Sequence, residues 1–295
     1  MDIHAQNRQI IPGVSGFALS PNDQNMIIAY NGGETGCICI VDLKSGTAKK
    51  IISENKELRY FKPEYSPDGK KVTFVGYFNK KLNDCAVFTA NADGSNLKQL
   101  TKGGETINQT VFSRYDTSLI FYIKANTFEN YSPFASRQPH NMDIYSVNAN
   151  NQEVNKVTDM KAYGIYSLSE TDSAHFLMHL PKGNNGGLFL YEKSSGQSER
   201  IVPVYDSRRP VFAYTDPQYN RQYNLLACTG SYQIYIMNMV DKEAKCIYHS
   251  NPNTIGPVKF FNTVERLIFS VDTRGLYTIN FDGSDLKKLD IVLEE

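Results

Sequence analysis

Apolar residues in this chain come in short runs of about five, each broken by a polar turn. The clearest stretch is Tyr65-Ser66-Pro67-Asp68-Gly69-Lys70-Lys71-Val72-Thr73-Phe74-Val75. Ser66 to Gly69 fit a type I turn, with Ser first, Pro presetting φ second and Gly closing fourth. The residues after it are β-branched or aromatic, as a strand requires. A second turn, Asn91-Ala92-Asp93-Gly94-Ser95-Asn96, leads into the short outer strand Leu97-Lys98-Gln99-Leu100. One unit therefore holds four short strands.

The unit repeats. Ser20-Pro21-Asn22-Asp23 stands before Met26–Tyr30, Ser113-Arg114-Tyr115-Asp116 before Leu119–Ile123, and Ser169-Glu170-Thr171-Asp172 before His175–His179. Thr215-Asp216-Pro217 precedes Tyr223–Ala227, and Phe261-Asn262 precedes Arg266–Ser270. Anchors at 20, 66, 113, 169, 215 and 261 lie 46, 47, 56, 46 and 46 residues apart. A period in the forties with four strands per unit is the signature of a β-propeller. Six such units fill the 295 residues and a seventh does not fit. The expected fold is all-β, one six-bladed propeller over 1–295 with four-stranded blades at about 13–53, 58–102, 106–159, 161–203, 207–248 and 255–290. The apolar runs are nearly continuous rather than alternating, as expected where both faces of each blade pack on neighbours.

Residues 7–12 hold the place of an outer strand, because Arg8-Gln9-Ile10-Ile11 matches Lys49-Lys50-Ile51-Ile52. A strand ahead of blade one is expected to pair with the last blade and close the ring. Leu286-Lys287-Lys288-Leu289 also reads as an outer strand there.

The charge balance is neutral. Lys+Arg and Asp+Glu both number 31, so no global field draws nucleic acid or an anionic membrane. No apolar run approaches the roughly 18 residues of a membrane span, and Met1–Gln6 does not read as a signal peptide. Five cysteines, Cys37, Cys39, Cys85, Cys228 and Cys246, form no zinc spacing and no clean disulfide framework, so buried thiols are expected. The Gly-rich turn Lys182–Gly187 leads into no helix and so lacks the context of a phosphate cradle. His175 and His179 share a strand face about 13 Å apart, so packing or surface exposure is expected ahead of metal binding.

The pairing of Ser66-Pro67-Asp68-Gly69-Lys70 with Asp93-Gly94-Ser95-Asn96-Leu97-Lys98-Gln99-Leu100-Thr101 resembles the repeat of TolB-like β-propellers, and Asp282–Leu289 repeats its second half. That resemblance implies the fold, and a periplasmic or other extracytoplasmic location with the cytoplasm not excluded. The family includes TolB itself, propellers of prolyl-oligopeptidase-like peptidases and metal-dependent oligogalacturonate lyases. No Gly-x-Ser-x-Gly elbow occurs here, and the closely spaced histidines of the lyases are not matched. Aspartates recur at equivalent turns (Asp23, Asp68, Asp116, Asp172), which is a structural signal rather than one catalytic constellation.

Ring closure gathers distant loops on one rim, a common way to build a concave site. The loops leading into the inner strands hold Arg59 and Tyr60, Asn108 and Gln109, Lys161 and Tyr163, and Arg208 and Arg209. Loops between second and third strands add Tyr77, Phe78 and the long Lys124–Met142 segment with Phe128, Tyr131, Phe134, Arg137 and His140. Arginines with aromatics are what recognition surfaces use, although polar loops also tolerate both. The candidate ligand-binding set is Arg59, Tyr60, Asn108, Gln109, Tyr131, Arg137, His140, Tyr163, Arg208 and Arg209. Aromatics on a solvated loop are a liability, so the Lys124–Met142 insertion is expected to fold over the rim as one wall of the site. The expected function is non-catalytic recognition of a protein segment or a small polar or anionic ligand, by a monomer. No catalytic residue, metal or cofactor is assigned. The alternative is a metal-dependent lyase or hydrolase acting on carbohydrate at the channel mouth.

Overall fold

Strand pairing follows the repeat. The structure, a computed structural model, describes residues 8–9, 13–32, 35–79, 81, 83–130, 134, 137–181, 186–205, 215–250, 253–272 and 275–294. Each of six sheets is built on four consecutive antiparallel strands, and no helix occurs among the described residues. The chain is a six-bladed β-propeller. Its innermost strands are Val14–Leu19, Leu58–Tyr65, Thr106–Phe112, Ser167–Glu170, Thr215–Asn220 and Ile255–Phe260.

The core is not one mass but a set of seams, one between each pair of neighbouring blades. Ile27 and Ala29 of blade one meet Tyr60 and Phe74 of blade two, and Val75 and Val87 meet Ile120 and Tyr122 of blade three. Phe121 crosses Phe176 edge-on, with ring centroids 5.0 Å apart, between blades three and four. Further clusters fill the seams four–five and five–six, and Met26 and Ile28 pack on Ile268 and Leu276 between blades one and six. The last seam makes the ring closed. Every central strand is thus buried on both faces, which accounts for the unbroken apolar runs.

The repeated turn has a physical basis. In blade two Gly69 N–H donates to Ser66 O at 2.8 Å, and Lys71 N–H donates to Ser66 Oγ at 2.9 Å. Ser66 Oγ in turn donates to Asp68 Oδ1 at 2.7 Å. Blade one repeats the arrangement with Ser20, Asn22 and Asn25. The φ of Gly69 is +70° and that of its counterpart Asp23 is +55°, so the fourth turn position is left-handed in both. Blade five differs from the expected register. Thr215–Asn220 is its inner strand and the turn follows at 221–224, so the anchor read at 215 falls within a strand. Asn220 and Arg221 there take the places of Ser66 and Pro67.

Ring closure also differs from expectation. Lys287–Leu289 does form the outer strand of blade six. The closing strand is Val292–Leu293, which pairs in parallel with Thr47–Ala48 on the outer edge of blade one. Arg8–Gln9 adds outside it, antiparallel, with Arg8 opposite Leu293. The N-terminal strand therefore lies at the margin of blade one rather than in blade six, while residues 7 and 10–12 lie outside the described residues. The chain leaving blade six reaches the next outer edge around the ring, and the N-terminal strand pairs with what it meets there. Val204–Tyr205 does the same in miniature, leaving blade four to run parallel to Glu243–Ala244 of blade five. At the opposite, inner side of the same seam, Asp23 accepts from Asn262 N–H at 2.7 Å and from Thr263 N–H at 2.6 Å.

Candidate functional site

The inner strands surround a channel with two ends. The loop end carries the loops that lead into the inner strands; the turn end carries the Ser-Pro-Asp-Gly-type turns that leave them.

Most of the described residues expected to bind ligand are at the loop end, and several are committed to holding blades together. Arg59 is only 5% exposed, and its Nη1 donates to Thr35 O of blade one at 2.6 Å. Tyr60 is 2% exposed and packs edge-on against Phe74, and burial pushes its phenol up to about 12. Its backbone is held from blade one, since Asn31 Nδ2 donates to Tyr60 O at 2.6 Å. Gln109 is 7% exposed and spends its whole amide on blade four: Nε2 donates to Leu168 O at 3.0 Å, and Leu168 N–H donates to Oε1 at 3.0 Å. Asn108 Nδ2 donates to Ile165 O at 3.0 Å, while its Oδ1 accepts from Lys62 Nζ at 3.3 Å. The same ammonium also reaches Tyr166 O at 3.3 Å, so one lysine on a bulged strand with φ of +47° ties blade two to blades three and four. Tyr163 is 54% exposed. Tyr131, Arg208 and Arg209 lie outside the described residues.

The insertion takes the form of a paired ribbon rather than an irregular loop. It lengthens the central hairpin of blade three into a two-stranded arm, Leu119–Asn130 paired with Arg137–Asn148 out to Asn130 opposite Arg137. Phe134 at its tip is wholly exposed, so the expected burial of its aromatics does not extend to this one. Arg137 is exposed beside it, whereas Phe128 and His140 are half-buried, with His140 Nδ1 3.0 Å from Gln138 O. Continuous backbone pairing favours a ribbon over a draped loop, because each added pair satisfies its own polar groups. At the foot of the arm Asp143 is completely buried. It accepts from Met160 N–H at 2.6 Å, Thr158 Oγ1 at 3.1 Å and Asn126 Nδ2 at 3.0 Å, and pairs with Lys156 at 3.1 Å.

The turn end is open. A cavity of about 370 Å³ there is lined by residues of all six blades, among them Pro21, Pro67, Phe112, Leu168, Gln218 and Asn262, and Gln109 of the expected ligand-binding set also lines it. Among the described residues five charged side chains line it: Glu64, Arg114, Glu170, Arg221 and Lys259. Glu64 pairs with Lys259 at 2.9 Å. Glu170, 4% exposed, pairs with Lys193 at 2.5 Å and also accepts from Arg114 N–H at 2.6 Å. Both carboxylates are thus compensated. The Arg114 guanidinium has no partner among the described residues, and Arg221 Nη1 reaches only the Tyr115 hydroxyl, at 3.3 Å. Sequence reasoning missed both arginines. The available signal was position: Arg114 stands after Ser113 where blades one and two carry Pro21 and Pro67.

The remaining candidates for chemistry are placed as structure. His179 is 2% exposed against the Tyr166 ring, and His175 Nδ1 lies 2.9 Å from Asp172 Oδ1. All five cysteines are free thiols; Cys37 and Cys39 sit side by side, sulfurs 3.6 Å apart, with no bond between them. Among the described residues no three His, Cys, Asp or Glu side chains come together in a way that could hold a metal ion, and no helix is long and apolar enough to cross a membrane. Lys182–Asn185 of the Gly-rich turn lie outside the described residues.

Solved structures share this architecture. The chain is similar to TolB from Acinetobacter baumannii (TM-score 0.65, 16% identity), covering 94% of this chain and 64% of that one. It therefore spans less than two thirds of TolB's length. It is also similar to an oligogalacturonate lyase from Vibrio parahaemolyticus (TM-score 0.57, 13% identity, 90% and 77% covered). A third likeness is to a chain of a nidogen/laminin complex (TM-score 0.62, 9% identity, 88% and 94% covered). At these identities the likeness is one of fold. No family model and no curated protein matches the sequence. The fold is that of a TolB-like six-bladed propeller.

Proposed function

We propose that this chain is a non-catalytic binding propeller that takes a protein segment or a small polar ligand at the turn-end mouth of its channel. The observation that carries this reading is the cavity at the turn end, to which six blades contribute side chains and in which two arginines stay free of carboxylates among the described residues. A concave, mixed polar and apolar pocket with a few unspent polar groups is the usual form of a binding site. The likeness to the nidogen/laminin complex supports a ring of this size taking part in protein recognition, and the likeness to TolB supports residence outside the cytoplasm. The likeness to oligogalacturonate lyase supports the second reading, metal-dependent cleavage of a carbohydrate.

The two readings separate experimentally. Melting temperatures are measured across a panel of short peptides and polar solutes, for the protein and for a Ser169→Trp variant that fills the turn-end mouth. The binding reading predicts that some panel member stabilises the protein and that the bulky side chain removes the effect. A panel that stabilises neither protein overturns it, as does stabilisation that survives the plug. Release of unsaturated product from pectate with added manganese would establish the lyase instead.

A further inference from the structure

We propose that the turn-end mouth is a site for a small divalent oxyanion, a dicarboxylate or a phosphate ester, clamped between Arg114 of blade three and Arg221 of blade five. This rests on the reading of that mouth as a binding site and assigns its ligand chemistry.

Charge counting leads to the ligand. The cavity is lined by three cations and two carboxylates. Lys259 is used by Glu64, and Glu170 is used by Lys193 from outside the lining. Removing the two ion pairs leaves two positive charges, Arg114 and Arg221, with no carboxylate of the cavity to answer them. A planar guanidinium offers paired N–H donors matched to carboxylate or phosphate oxygens. The two arginines come from different blades yet meet at one side of the mouth, because Arg221 crosses past blade four to the hydroxyl of Tyr115, the residue next to Arg114. That hydroxyl is a third donor, and Tyr115 is 49% exposed. The floor beneath is apolar, with Val111, Phe112 and Leu168, so a ligand with a short carbon body fits better than a bare ion.

Two groups fix the geometry. Glu170 holds the Arg114 backbone N–H at 2.6 Å, and Ser113 Oγ donates to the same carboxylate oxygen at 3.1 Å. The turn that presents Arg114 is therefore locked to blade four before any ligand arrives. Because that carboxylate is already paired and hydrogen-bonded, it adds little repulsion against an incoming anion.

The test uses the full chain with succinate and glycerol phosphate as probes, against succinamide and glycerol as neutral controls at matched ionic strength. Melting temperature and titration calorimetry are the readouts. At least one anion is expected to raise the melting temperature where its neutral control does not, and which one does so identifies the source of the charge. The double variant Arg114→Gln/Arg221→Gln should weaken that binding at least about tenfold, from the loss of charge-assisted hydrogen bonds. Lys287→Gln/Lys288→Gln, which removes the same charge on the outer strand of blade six, should leave it unchanged. No response to either anion, or a response that survives the double arginine variant, overturns the assignment. Binding of neutral panel members that the Ser169→Trp plug abolishes, with both anions silent, would overturn the oxyanion clamp while leaving the binding reading in place.

Discussion

The two ends of the channel carry similar residues and put them to different use. At the loop end Arg59 and Asn108 look like a recognition surface, yet each hydrogen-bonds to the backbone of a neighbouring blade. At the turn end Arg114, Arg221 and Gln218 line an open cavity, and their side chains form no bond to a neighbouring blade's backbone among the described residues. The lesson is that residue type marks a polar rim, while availability is set by what the adjacent blade offers. A carbonyl such as Leu168 O or Thr35 O is as good a partner as any ligand, and it is always present.

The largest effect should come from the loop end. Asp143 is a buried carboxylate whose partners draw the 156–161 segment onto the foot of the arm. Asp143→Ala strands those donors, and breaking a buried charged network costs about 3–5 kcal/mol. Urea unfolding should report a loss of that order; a change below about 1 kcal/mol would mean that water replaces the carboxylate and that this end is less committed than its hydrogen bonds indicate.

A smaller effect sharpens the comparison from the turn end, where some residues are also committed. Asp23 accepts from Asn262 and Thr263 across the closing seam. Because its φ is +55°, Asp23→Gly keeps the turn and removes only the carboxylate. Equilibrium unfolding should show about 1–3 kcal/mol of destabilisation, in the range of hydrogen bonds to a charged group. An unchanged stability would leave closure of the ring to the Val292–Leu293 strand and the apolar seam.

How much of this was legible in the sequence follows from the range of the interactions. The Ser66–Gly69 turn and its copies are local, since their hydrogen bonds span at most five residues, and six blades could be counted from them. Blade five escaped the count in register because its turn, Arg221–Asn224, lacks Ser, Pro and Gly. The order of the closing strands was not legible, because two-residue strands at chain ends carry no periodic signal. Nor was the burial of Tyr60, or the spending of Gln109 on Leu168, 59 residues away, since both depend on which backbone the next blade presents. The insertion was visible as extra length at Lys124–Met142; its shape was not, because paired ribbon and packed loop can share one composition.

The contrast between spent and available side chains is tested most directly by two matched glutamines on inner strands. Both line the turn-end cavity, but Gln109 gives its amide to Leu168, whereas Gln218 has no side-chain hydrogen bond among the described residues. Gln109→Ala and Gln218→Ala are compared by urea unfolding under one set of conditions. A loss of about 1–3 kcal/mol is expected for Gln109→Ala, which leaves buried backbone groups unpaired, and a change within about 0.5 kcal/mol for Gln218→Ala. Equal losses, or the larger loss at Gln218, would contradict it.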